Sequence, residues 1–154
     1  MSKLSEPRQL CTFYVDDLFF GVDVTRVQEV IRYQQMTRVP LASDVIRGLI
    51  NLRGQIVTAI DLRKRLGLAD SQELPMNVVV RTDDGVVSLL VDEIGDVVEV
   101  TAESYERGPD TLSAATRELV TGVYKLKREL LLLLDTERAA AVPAQRRSRS
   151  EEAA

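Results

Sequence analysis

Residues 78–92, VVVRTDDGVVSLLVD, constrain the fold more than any other stretch. Two β-branched runs, Val78 to Arg81 and Val86 to Asp92, flank Asp83-Asp84-Gly85. Branching at Cβ favours extended backbone, and Asp-Gly accepts the positive φ of a tight hairpin turn, so the middle of the chain is committed to antiparallel pairing. Similar patterns recur. Gln9 to Val15 and Leu18 to Val24 surround the turn residues Asp16-Asp17, with Gly21 at a bulge or a close backbone approach. Val97 to Val100 follows Gly95-Asp96, and Leu119 to Tyr124 carries Gly122. Many short β-rich runs broken by frequent turns predict a mainly β chain of barrel type.

A second stretch, Gly48 to Leu68, holds the chemistry of greatest interest. Asn51 and Arg53 alternate with apolar residues and end on Gly54, and Gln55 to Ile60 has the composition of a buried strand. Asp61 is placed to cap one helical turn in which Leu62 and Leu66 share a face and which Gly67 ends. A cationic side chain is thereby expected on a tight turn between two packed elements.

Elsewhere the spacing predicts short helices. Val24, Val27, Val30 and Ile31 fall at helical intervals, with Asp23 or Thr25 as cap and Glu29 pointing away from the apolar side. Met36 to Pro40 has the pattern of a short strand. Val45, Ile46, Leu49 and Ile50 suggest a second helix capped by Ser43 or Asp44. Ala69 to Pro75 is a polar connector and the expected passage between lobes. Thr101 begins a single turn, and Asp110 to Arg117 is small and polar, a loop. Lys127 to Leu134 is ambiguous, because five consecutive leucines favour helix by propensity but lack a capped start.

Composition narrows the function. The 154 residues fit one domain or two small lobes, and a net charge of −4 with interspersed signs lacks the basic excess of a nucleic-acid binder. Four tyrosines, three phenylalanines and no tryptophan give no aromatic stripe for stacking bases. Histidine is absent and cysteine occurs once, so a Cys/His zinc site or a His-activated nucleophile cannot be assembled within the chain. Cys11 is expected as a small buried hydrophobe in a reducing cytoplasm. The N-terminal MSKLSEPRQL lacks an apolar signal core, and no apolar run is long enough to span a bilayer. Residues 1–8 are expected to be flexible, residues 9–141 to fold, and residues 142–154 to be disordered.

The carboxylate pairs Asp16-Asp17 and Asp83-Asp84 have the simpler explanation of turn formation, and Arg63-Lys64-Arg65 that of a solvated helix face. For Arg53 two readings compete. It pairs internally, with Asp61 or with the free carbonyls of a preceding helix, or it captures a partner's carboxylate in the two-pronged way that Lys cannot.

Asn51-Leu52-Arg53-Gly54 followed by Asp61-Leu62-Arg63 resembles the NLRG…DLR signature of the CheW family of chemotaxis coupling proteins. Phe20 to Val24 with Val27 to Val30 is similar to that family's opening strand and helix, and the likeness spans about residues 10 to 138. The resemblance implies two five-stranded SH3-like barrels with a groove between them. It also implies that Leu130 to Leu134 is a buried strand, followed by a terminal helix capped by Asp135. By the same resemblance the chain is a non-enzymatic adaptor without cofactor. It would join the cytoplasmic tips of methyl-accepting chemoreceptors to the regulatory domain of a CheA-type histidine kinase, as a single module without a receiver or kinase segment. The residues that match the receptor-binding region are Val27, Glu29, Gly48, Asn51 and Arg53, with Gly48 equally explained by a backbone requirement. The alternatives are an SH3-like module for peptides or nucleic acid outside chemosensing, and a small barrel enzyme or ligand carrier. Arg146-Arg147-Ser148-Arg149 and Thr58-Ala59 depart from the family pattern.

Overall fold

A computed structural model describes residues 7–109 and 111–141, and the expected tail lies outside them. The chain is mainly β, arranged as two lobes, each a strongly curved sheet. The first lobe contains β1 (Arg8–Val15), β2 (Leu18–Asp23), β8 (Glu93–Val100), β9 (Tyr105–Glu106), β10 (Val120–Lys125) and β11 (Leu130–Leu134), in the order β8-β1-β2-β11-β10-β9. The second contains β3 (Val27–Ile31), β4 (Ile46–Leu52), β5 (Gln55–Asp61), β6 (Met76–Thr82) and β7 (Gly85–Val91), in the order β3-β6-β7-β5-β4. The second lobe is thus inserted whole between β2 and β8 of the first. The sheets are antiparallel except where β2 meets β11 and β5 meets β7.

This insertion moves the passage between lobes. It does not run through Ala69 to Pro75, which joins α1 (Leu62–Arg65) to β6 inside the second lobe. The chain crosses instead at the 3-10 turn Val24–Arg26 and again at Asp92. Both crossings are only a few residues long, which sequence composition does not mark.

Two expected helices are strands. Val27–Ile31 pairs with β6, and an extra residue at Gln28 shifts the register between Val27 and Glu29. That bulge imposes the spacing that suggested a helix. Only Val24–Arg26 turns, with Asp23 accepting from the Thr25 N–H at 3.0 Å. Ile46–Leu52 buries Gly48, Ile50 and Leu52, a period of two, and Ser43 and Asp44 start no helix. Met36 to Pro40 contributes a single bridge, Thr37 to Leu49. Conversely, part of the expected loop 110–117 is helical. α2 (Ala114–Leu119) is capped by Ser113, whose Oγ accepts from the Thr116 N–H at 3.2 Å. α3 (Thr136–Ala140) is capped by Asp135 as expected, after the buried strand Leu130–Leu134.

Three apolar clusters hold the molecule together. Leu10, Phe19, Val100, Tyr124, Leu131 and Leu133 fill the first lobe. Ile50, Leu52, Val57 and Val79 fill the second. The largest cluster lies between them, where Phe13, Phe20, Leu119 and Leu132 of one lobe meet Ile60, Leu62, Val78 and Leu89 of the other. Complete burial of each such side chain stabilises by about 1.5–3 kcal/mol, so the contact between lobes is part of the core. Gly21 sits where a Cβ would lie 3.1 Å from both Leu10 and Leu131, a close approach. At the surface, beside the first crossing, the first lobe has a groove of about 230 Å³ bordered by Arg8, Asp23, Thr121 and Thr136 together with Arg26 of the crossing turn.

Candidate functional site

The turn between β4 and β5 consists of Arg53 at φ 51° and Gly54 at φ 91°. Two successive positive φ values make the hairpin turn that suits the twist of paired strands. Glycine adopts the second freely, whereas arginine at the first costs about 1–2 kcal/mol. Asn51 helps to hold the turn by accepting the Gly54 N–H on Oδ1 at 2.8 Å. The backbone therefore directs Arg53 outward, and 72% of its side chain is exposed.

Its guanidinium donates to Glu29 Oε2, forming an ion pair. Neither internal partner anticipated for it is used, because Asp61 instead accepts from Arg47 at 3.0 Å and no helix precedes the turn. β3 and β4 are the two outer strands of the second sheet, so Glu29 and Arg53 link its opposite edges. The hydrogen bond from Arg53, more than its charge, holds the Glu29 carboxyl below the usual carboxylate range, although slight burial opposes the shift.

Of the five expected residues, Glu29, Asn51 and Arg53 come together around this turn. Gly48 serves the backbone instead. A Cβ there would stand 2.7 Å from the Thr37 carbonyl oxygen and 3.0 Å from Met36 Cβ. Val27 also lies apart, since its half-buried side chain packs on the core between the lobes.

A second charged constellation was not legible in the sequence. Arg63 donates from Nε to Asp92 Oδ1 at 2.9 Å and from Nη2 to Oδ2 at 2.7 Å, and its Nη1 reaches the Ala69 carbonyl at 2.8 Å. Asp92 also accepts the Asp16 N–H at 2.6 Å, and the Asp16 carboxylate lies 3.5 Å from Arg63. Burial alone would raise the Asp92 carboxyl, but Arg63 and the Asp16 N–H together bring it below its ordinary value. The solvated face expected for residues 63–65 is therefore corrected. Only 18% of the Arg63 side chain and 14% of Arg65 are exposed, both tied to neighbours, and Lys64 pairs with Asp70 at 3.0 Å. The DLR half of the signature has a structural meaning: Asp61 caps α1 by accepting the Lys64 N–H, Leu62 fills the core and Arg63 clasps the second crossing. A separation of 29 residues between Arg63 and Asp92 leaves no local signal by which to find the pair. Cys11, expected inside, is half-buried on β1 opposite Val97.

Two fused small barrels that display a braced guanidinium define a protein-docking scaffold. The CheW-like domain family model matches residues 9–143. Similar proteins include the chemotaxis protein CheW of Klebsiella aerogenes, 35% identical over 121 residues that make up 77% of this chain and 73% of the relative. CheW of Bacillus subtilis is 29% identical and covers 87% of each chain. The crystal structure of the scaffolding protein TtCheW from Thermoanaerobacter tengcongensis superposes with a TM-score of 0.80 at 25% identity, over 92% of this chain and 97% of that one. The chain belongs to the CheW family of chemotaxis coupling proteins, and its function is that of a chemotaxis coupling adaptor. An SH3-like module outside chemosensing is not favoured by these relationships.

Proposed function

We propose that this adaptor couples the cytoplasmic tips of chemoreceptors to the regulatory domain of a CheA-type histidine kinase, without transforming a substrate itself. It would work in the cytoplasm at membrane-associated receptor arrays. The supporting observation is the turn at Asn51 to Gly54, which exposes Arg53 while Glu29 braces it from the opposite edge of the barrel. A planar guanidinium held in one position suits two-pronged capture of a carboxylate on a receptor helix. Val27, Glu29, Gly48 and Asn51 complete the proposed receptor-binding region, Gly48 and Val27 by keeping its strands in place. The kinase would engage another barrel face. Receptor state would then reach the kinase as a shift in the populations of the shared assembly.

The experiment is a titration of purified receptor-tip fragment against wild type, Arg53→Ala and Arg53→Glu. Loss of a well-oriented charge-assisted contact weakens binding by about tenfold or more, with charge reversal the more severe. Equal binding by all three forms, each folded, rejects the proposed contact.

A further inference from the structure

Asn77 and Ser88 have no exposed surface, although each carries polar atoms. Asn77 lies two residues before Val79 on β6, and Ser88 lies opposite Val79 on β7. Both therefore share the face that fills the second lobe. Their side chains form one connected unit. The Ser88 hydroxyl donates to Asn77 Oδ1 at 2.7 Å, and Asn77 Nδ2 donates to the Arg32 carbonyl at 3.1 Å. A carbonyl only accepts, so the carboxamide must turn its NH2 toward Arg32, and the hydroxyl on its other side fixes that orientation. A leucine would fill the same space. What the asparagine adds is a bond to a strand at the point where it leaves the sheet.

That strand is the one that carries Glu29. Arg32 follows the last residue of β3, and Ile31 opposite Asn77 is the last pair. β3 is an outer strand, so β6 alone holds it within the sheet. On the other side of Glu29 the extra residue at Gln28 disrupts the ladder. Glu29 thus sits between a bulge and a strand end, in a run of only three pairs, Glu29–Val79, Val30–Val78 and Ile31–Asn77. Val30 is 38% exposed and anchors the run weakly. Short strand ends open locally at low cost unless something ties them. The Asn77 bond extends the hold on β3 one residue past the last pair. Opening of this end would carry Glu29 away from Arg53, which sits on the separate β4–β5 turn.

We propose that Asn77, oriented by Ser88, is a positioning residue of the docking site: it ties down the outgoing end of β3 and so keeps Glu29 against Arg53. The consequence for receptor binding rests on the reading that Arg53 meets the receptor, whereas the action on Glu29 does not.

Asn77→Leu/Ser88→Ala removes the donor and its orienting hydroxyl together, so that neither partner of the pair is left buried and unpaired. Its urea midpoint should stay near that of wild type. Amide exchange at residues 29–31 should rise about tenfold. The Glu29 carboxyl, followed by carbon NMR, should titrate higher, at the ordinary glutamate value, because its hydrogen bond from Arg53 is lost. A pair that merely supports the core would lower the midpoint and leave the Glu29 titration and the 29–31 exchange unchanged, and that result overturns the proposal. Should the double variant not fold, Ser88→Ala carries the same test: it frees the carboxamide to turn, and should move Glu29 in the same direction. An unmoved Glu29 in that variant also overturns the proposal. Wild type provides a further check, since the Asn77 side-chain amide should exchange at least about tenfold more slowly than that of exposed Gln35. Equal rates overturn the proposal. Titration with receptor-tip fragment separates the two readings. Weakened binding by the double variant supports both. A raised Glu29 value with undiminished binding supports the positioning role and overturns the contact of Arg53 with the receptor.

Discussion

Glu29 and Arg53 join the two outer strands of a five-stranded sheet across its open side. The connector that follows β3 also pairs with β4, through the Thr37–Leu49 bridge. The ion pair therefore does two things: it links the outer strands of the barrel and fixes the direction of an arginine that is 72% exposed.

Because both side chains reach solvent, the fold depends little on this pair. Glu29→Gln should leave the thermal midpoint within experimental scatter of wild type. It should nonetheless change receptor-tip affinity, because Arg53 is then free to reorient. A large drop in midpoint would show that the pair is structural.

Gly48→Ala should destabilise by about 1–3 kcal/mol, since the new Cβ would meet the Thr37 carbonyl oxygen, which cannot move without breaking the bridge to Leu49. Urea unfolding measures this directly. An unchanged midpoint would mean that the 36–37 segment yields freely.

Val27→Asp places a carboxylate against the core between the lobes, and a loss of about 1–3 kcal/mol is expected. Leu74→Asp, at an apolar side chain 68% exposed, should cost far less in the same urea titration. Similar losses for both would remove Val27 from the core.

Arg63→Ala leaves Asp92 half-buried with its guanidinium partner gone, and should destabilise by about 1–3 kcal/mol. The Asp92 carboxyl titrates below its ordinary value in the folded protein. Its contribution is accordingly complete above the unfolded value of about 3.9 and fades as pH falls through the lower folded value. Wild type and Arg63→Ala should therefore differ in stability at pH 6 to 7, and the difference should shrink progressively as pH falls below about 4. A constant difference across that range would assign the effect to packing.

Much of this protein was legible without coordinates. Whereas the strand Leu130–Leu134 and the cap at Asp135 were implied by the family resemblance alone, the Val78–Asp92 hairpin, the strand Gln55–Asp61 and the cap at Asp61 depend on neighbours within a few residues. So does the turn that carries Arg53, where Asn51 and Gly54 lie within one hairpin. Local sterics and local hydrogen bonds decide such features, and the sequence states them.

The rest required the fold. Val27–Ile31 and Ile46–Leu52 have apolar spacings compatible with a helix, and only pairing with β6 and β5 makes them strands. Arg53 found Glu29 24 residues away, and Arg63 found Asp92 at 29, because the sheet order places them together. Sequence by itself determined where the chain turns and which side chain the turn displays. Tertiary structure decided which strands meet and which charges are satisfied, because burial energy is shared among residues that only the completed barrels bring into contact.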